Sequence, residues 1–123
     1  MITVEYLGGL PGRDAALAIT AVVQGGVVRL RRRGFRGGWS CHLPLATIAS
    51  AELTTAQEVR AGHVLAAPSA ALLGQPQECL LAIEGLADHH ATSIILRGPH
   101  AALQGLREDI LTGRRRTAKQ WRA

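Results

Sequence analysis

The sequence predicts a mainly β fold of about seven strands followed by one C-terminal α-helix, and three observations carry that expectation. Apolar and polar residues alternate with a period of two through most of the chain before Gly98. The dipeptide Gly25-Gly26 separates two such runs whose apolar faces coincide when one is folded onto the other. The period changes to that of a helix only after Gly98-Pro99.

Ile2 to Leu7 sets Ile2, Val4 and Tyr6 against Thr3, Glu5 and Leu7, the pattern of a half-buried strand. Gly8 to Asp14 reads as a connecting bend. Gly25-Gly26 is a two-residue hairpin signal, and it imposes a register that pairs Gln24 with Val27, Val23 with Val28, Val22 with Arg29, Ala21 with Leu30 and Thr20 with Arg31. One face then holds Leu17, Ile19, Ala21, Val23, Val28 and Leu30; the other holds Ala18, Thr20, Val22, Arg29, Arg31 and Arg33. Turn chemistry and binary pattern agree, so Ile19 and Leu30 are expected inside and Thr20 and Arg31 outside. The register turns Arg32 inward, to snorkel from the rim, unless the strand has ended there.

Gly34 to Gly38 is a loop, and Trp39, Cys41 and Leu43 alternate in a strand that Pro44 ends. Ser50 to Ala56 is a weaker strand. Glu78 to Glu84 and Ala91 to Arg97 are better ones, joined by a turn around Gly85, Ala87 and Asp88. Pro99 then opens a helix whose apolar positions are Leu103, Leu106, Ile110 and Leu111, and Gly113 is its expected stop.

With 123 residues, 47% of them hydrophobic and 19% charged, the chain has the composition of one globular domain that folds without disulfides or metal. Its longest uncharged stretches, Ala15 to Val28 and His63 to Gln77, are broken by Gly25-Gly26 or by Pro68 and Pro76, which excludes a spanning helix. The start has no basic segment leading into an apolar one, so no secretory signal is read and a cytoplasmic protein with reduced Cys41 and Cys79 is expected. The net charge of +5 is confined to the end: nine basic and nine acidic residues balance up to Thr112, and Arg114, Arg115, Arg116, Lys119 and Arg122 follow. Residues 1–112 are expected to form the domain and residues 113–123 a basic, solvated, flexible tail.

Little in the sequence points to catalysis. A zinc site needs about four Cys or His ligands, usually in close pairs, and Cys41-His42, His63, Cys79, His89-His90 and His100 lack that spacing. Cys41 lies in a core-facing register, where a cysteine serves as a small hydrophobe. Gly8-Gly9-Leu10-Pro11-Gly12 lacks the Lys-Ser/Thr ending of a phosphate loop. No enzyme, metal, cofactor or small-molecule substrate is expected. Two features suggest binding. Arg29, Arg31 and Arg33 share one face, with Arg36 in the next loop; together with the tail residues Arg114, Arg115, Arg116 and Lys119 they could grip an anion, or form a solvated face that blocks edge pairing. Between the strands ending at Ala56 and beginning at Glu78, Val64, Leu65, Leu72 and Leu73 are too apolar for a solvated loop. That insertion can cover the domain, meet another subunit or dip into a bilayer surface; contact with a protein, another copy of the chain above all, is the expectation.

The segment from Trp39-Ser40-Cys41-His42-Leu43-Pro44 through Ile48-Ala49-Ser50-Ala51-Glu52 resembles the strand, proline and x-x-Ile-x-Ser-x-Glu stretch between the third and fifth strands of bacterial pleckstrin-homology-like (PH-like) domains. Cys79 to Glu84 and Ala91 to Arg97, leading into a helix at Pro99, resemble their closing strands and helix, and residues 59–74 are similar to an insertion in some relatives. The resemblance implies a bent antiparallel sheet or partly open barrel with the helix plugging one end. It also implies a non-catalytic scaffold for protein or lipid binding. Lipid-binding members place several Lys or Arg in the first strand-to-strand loop, where this chain has only Arg13 beside Asp14. Protein or self-association is therefore the expected function, with weak binding of acidic lipid or nucleic acid through the tail as the alternative.

Overall fold

The computed structural model describes residues 1–10, 16–32, 38–60, 79–87 and 90–122, and the side chains of these except 16, 17, 59, 60 and 117–122. The strands are β1 (Ile2–Gly8), β2 (Ala16–Gln24), β3 (Val27–Arg32), β4 (Trp39–Pro44), β5 (Ser50–Thr55), β6 (Cys79–Ala87) and β7 (His90–Arg97). A 3-10 turn spans Leu45–Thr47, α1 Ala56–Arg60 and α2 His100–Arg122. All seven strands lie in one antiparallel sheet of order β4-β3-β2-β1-β7-β6-β5.

The hairpin register is the one the Gly25-Gly26 turn imposes, from Gln24↔Val27 to Thr20↔Arg31. Both glycines have positive φ, +62° and +78°, as a two-residue turn of this twist requires. Ile19 and Leu30 are buried and Arg31 is exposed, whereas Thr20 is half-buried. Arg32 is exposed, because β3 ends there, opposite Trp39.

Strand order and linker length together force the sheet to bend. The strands β4 and β5 are its two borders, yet only residues 45–49 join them. A flat sheet of this order would be about 29 Å wide at ~4.8 Å per strand, and the chain from Pro44 to Ser50 reaches at most about 22 Å. The linker is pinned at both sides, since the Leu45 amide donates to the Gly26 carbonyl at 3.0 Å and the Ala49 amide to the Glu84 carbonyl at 2.8 Å. In the middle of the order β1 pairs with β7, matching Glu5 with Arg97 and Tyr6 with Leu96, and the Glu5 carboxylate accepts a hydrogen bond from Arg97 Nε at 2.5 Å.

The main core lies inside the bend. It gathers Val4, Tyr6, Ile19, Leu30, Leu43, Leu81, Ile83, Ile94 and Leu96 from the sheet, with Leu103, Leu106 and Ile110 of α2 packed on it. Tyr6 meets Trp39 edge-on, with ring centroids 5.2 Å apart, and its hydroxyl oxygen accepts the Leu10 amide at 2.8 Å. A smaller cluster of Leu7, Ala56, Leu80, Ala82 and Ile95 forms on the other face of the sheet, where α1 meets β1, β6 and β7.

Three elements differ from the sequence reading. The β6–β7 ladder continues through Gly85↔Thr92, Leu86↔Ala91 and Ala87↔His90, so Gly85 and Ala87 belong to a strand and not to a turn. A Cβ on Gly85 would lie 3.3 Å from Ile48, so glycine here admits the linker. Helix α1 is additional: Thr55 Oγ1 accepts the Glu58 amide at 3.2 Å, and Thr54 donates to the Glu58 carboxylate at 2.5 Å. Finally, α2 does not stop at Gly113 but continues to Arg122, so the expected flexible tail is helical over most of its length. A Cβ on Gly113 would come within 2.5 Å of Leu45 Cδ1, which makes this glycine a close-packing position instead of a helix stop.

Candidate interaction surface

Alternation along β3 turns Arg29 and Arg31 away from the core, and the neighbouring strands extend the same polar face. Arg29 pairs with Val22 on β2 and His42 on β4; Arg31 pairs with Thr20 and Ser40. Arg29, Arg31, Ser40 and His42 are all exposed, and β2, β3 and β4 contain no Asp or Glu. Among the described residues neither arginine forms an ion pair. Two planar guanidinium groups with hydroxyl-bearing neighbours can receive carboxylates or phosphates bidentately. Arg33 and Arg36 lie outside the described residues.

The second group of cations sits on α2. Arg114 is half-buried, Arg115 and Arg116 are exposed, and Lys119 lies one turn further along the helix. Of these only Lys119 falls in the last turn of α2, where the helix end favours positive charge. Arg116 borders an open cleft of ≈ 460 Å³ between α2 and the hairpin turn, with Gln24, Gly25, Leu45 and Asp109. Val64, Leu65, Leu72 and Leu73 lie outside the described residues, so the structure does not place the apolar contact expected there.

The opposite half of the sheet carries the opposite charge, which the sequence reading missed. Ser50, Glu52, Leu53, Thr54, Glu58, Ala82 and Glu84 line a cleft of ≈ 320 Å³ on β5, β6 and α1. Glu52 lies 3.5 Å from Arg107 of α2 but keeps 66% of its side chain exposed. Arg107 also donates from Nε to the Ala51 carbonyl at 2.8 Å, tying α2 to the border strand. Ser50, Glu52 and Thr54 take every second position of β5, a pattern visible in the sequence, but Glu84 joins them only through the Ser50↔Glu84 pairing. From β3 to β5, therefore, the outer face of the sheet carries Arg29 and Arg31, then the internally neutralised Glu5–Arg97 pair, then glutamates.

One nucleophile–base contact also emerges: Cys79 Sγ and His100 Nδ1 are 3.5 Å apart where β6 begins and α2 starts. Cys41 is buried in the core, as its register indicated. Among the described residues no three His, Cys, Asp or Glu side chains converge to hold a metal ion, and no helix is long and apolar enough to cross a membrane. Comparison of the chain with protein-family models, curated proteins and solved structures finds no match.

Proposed function

We propose that this protein is a non-catalytic interaction module that docks an acidic protein surface on the outer face of β2, β3 and β4. The observation that carries the proposal is the outward pair Arg29 and Arg31 on three strands that contain no carboxylate. Self-neutralisation on the same face would argue for a merely solvated surface; among the described residues Arg29 and Arg31 meet no carboxylate, which leaves both for a partner. The bent sheet with a terminal helix supports grouping the fold with PH-like domains, and the cytoplasm is the compartment in which Cys41 and Cys79 would stay reduced.

The test is fluorescence anisotropy with a labelled oligoglutamate peptide against the wild type and the Arg29→Gln/Arg31→Gln variant. Binding by the wild type that weakens roughly tenfold or more in the variant is the expected result. Unaltered binding in the variant rejects the proposal. A second reading, an anionic lipid or nucleic-acid surface held by α2, is favoured by the continuation of the helix through its cations to Arg122. It requires that Arg114→Gln/Arg115→Gln/Arg116→Gln, and not the β3 variant, abolish a steeply salt-dependent binding to duplex DNA or acidic vesicles.

A further inference from the structure

We propose that the partner of the β2–β4 face is the β5–β6 face of a second copy of this chain, so that the protein associates head to tail. This rests on the reading of the Arg29/Arg31 face as a docking surface and adds the identity of what docks there.

Charge complementarity is the first support. One half of the sheet presents Arg29 and Arg31 with no carboxylate on its three strands, and the other presents Glu58 and Glu84 around a cleft with Glu52, whose side chain stays 66% exposed although Arg107 lies 3.5 Å away. Spacing is the second. Arg29 and Arg31 are two residues apart on one strand, about 6.8 Å. Glu84 stands opposite Ser50, so it is the diagonal cross-strand neighbour of Glu52, at roughly 7–8 Å. Two guanidinium groups and two carboxylates at nearly the same interval can therefore be engaged at once. Polar groups surround both pairs, with Thr20, Ser40 and His42 on one side and Ser50 and Thr54 on the other.

The bend separates these two faces on the molecule, because each occupies the outer side of a different half of the sheet. The contact is thus heterologous: each copy uses one face and leaves the other open, and growth continues unless a ring closes. A face three strands wide and about six residues long covers roughly 300 Å² per copy, well below the ~800 Å² per partner of stable complexes. Association is accordingly weak, concentration-dependent and salt-sensitive.

Sedimentation velocity from about 10 µM to 1 mM protein, at low salt and again at about 0.5 M salt, where screening is strong, tests this. The expected result is an average mass that rises with concentration and returns to the monomer in salt. Arg29→Gln/Arg31→Gln and Glu52→Gln/Glu84→Gln, both near-isosteric and outside the core, should each stay monomeric. Mixed in equal amounts they should form a dimer and nothing larger, because each supplies the one face the other lacks. A wild type monomeric throughout, or self-association retained in either variant, overturns the proposal. The two levels are separable. If the monomeric wild type still binds oligoglutamate through Arg29 and Arg31, self-pairing alone is wrong; if it binds neither, the docking face is wrong as well. Retention of DNA or acidic vesicles in place of a second copy likewise overturns it.

Discussion

Gly9→Ala should be among the most damaging single-methyl additions to this protein. Gly9 follows β1 with φ of +117°, and a Cβ there would lie 1.9 Å from the Ser93 carbonyl oxygen, 2.7 Å from its carbon and 2.8 Å from the Ile94 Cα. All three atoms are backbone. They belong to β7, which is held by β6 through Glu84↔Ser93 and Ile83↔Ile94, and Ile94 and Ile95 are fully buried, so the obstacle cannot rotate aside as a side-chain tip would. Backbone strain at such a φ costs on the order of 1–3 kcal/mol. Overpacking that displaces backbone adds typically ~1–3 kcal/mol more. A loss near 4 kcal/mol is a large part of the roughly 5–15 kcal/mol that stabilises an ordinary domain. The assay is urea unfolding followed by circular dichroism, where at ~1.5 kcal/mol per molar the midpoint should fall by about 2–3 M. Gly25→Ala is the control, since its φ of +62° is also positive but nothing lies within 4 Å of the added carbon. It should lose only the ~1–2 kcal/mol of the left-handed conformation. Equal midpoints for the two variants would refute the reasoning, because they would show that the approach of Gly9 to β7 does not constrain the fold.

Two further outcomes can be checked in the same unfolding series. Leu30→Ala, which opens a cavity in the core, should cost about 2–4 kcal/mol, while Thr20→Ala, which loses only a long 3.4 Å hydrogen bond to the Arg31 carbonyl, should cost far less. Within α2, Gly105→Ala should stabilise by about 0.8–1 kcal/mol through helix propensity, because nothing lies within 4 Å of its new carbon. Gly113→Ala should instead destabilise, since Leu45 is buried and blocks the added methyl.

Local signals proved legible where the chain needed only its neighbours. A two-residue glycine turn fixes the β2–β3 register, and alternation alone then places Arg29 and Arg31 outside and Leu30 inside. The signature of α1 was also local, a Thr two residues before a Gln and three before a Glu, but it was hidden by the strand pattern that runs into it. What escaped were positions decided across the fold. Gly113 looks like a helix stop until Leu45 is packed against it, and Gly85 looks like a turn until Ile48 crosses it. The same holds for the candidate surface. The arginine row follows from one strand, whereas the glutamate cleft requires β5 and β6 to pair over more than thirty residues, and Cys79 meets His100 only when α2 closes on the sheet.

The pairing of β1 with β7 also decides the order in which the chain can complete itself. The hairpin β2–β3 and its neighbour β4 have short-range partners, but Glu5 must wait for Arg97, 92 residues later in the chain. Closing so long a loop is entropically demanding and makes that contact a late one. During synthesis one border of β1 therefore stays unpaired until β7 has emerged, and an unpaired border is a template for joining the wrong strand. Any chain ending before Arg97 would keep that border open permanently.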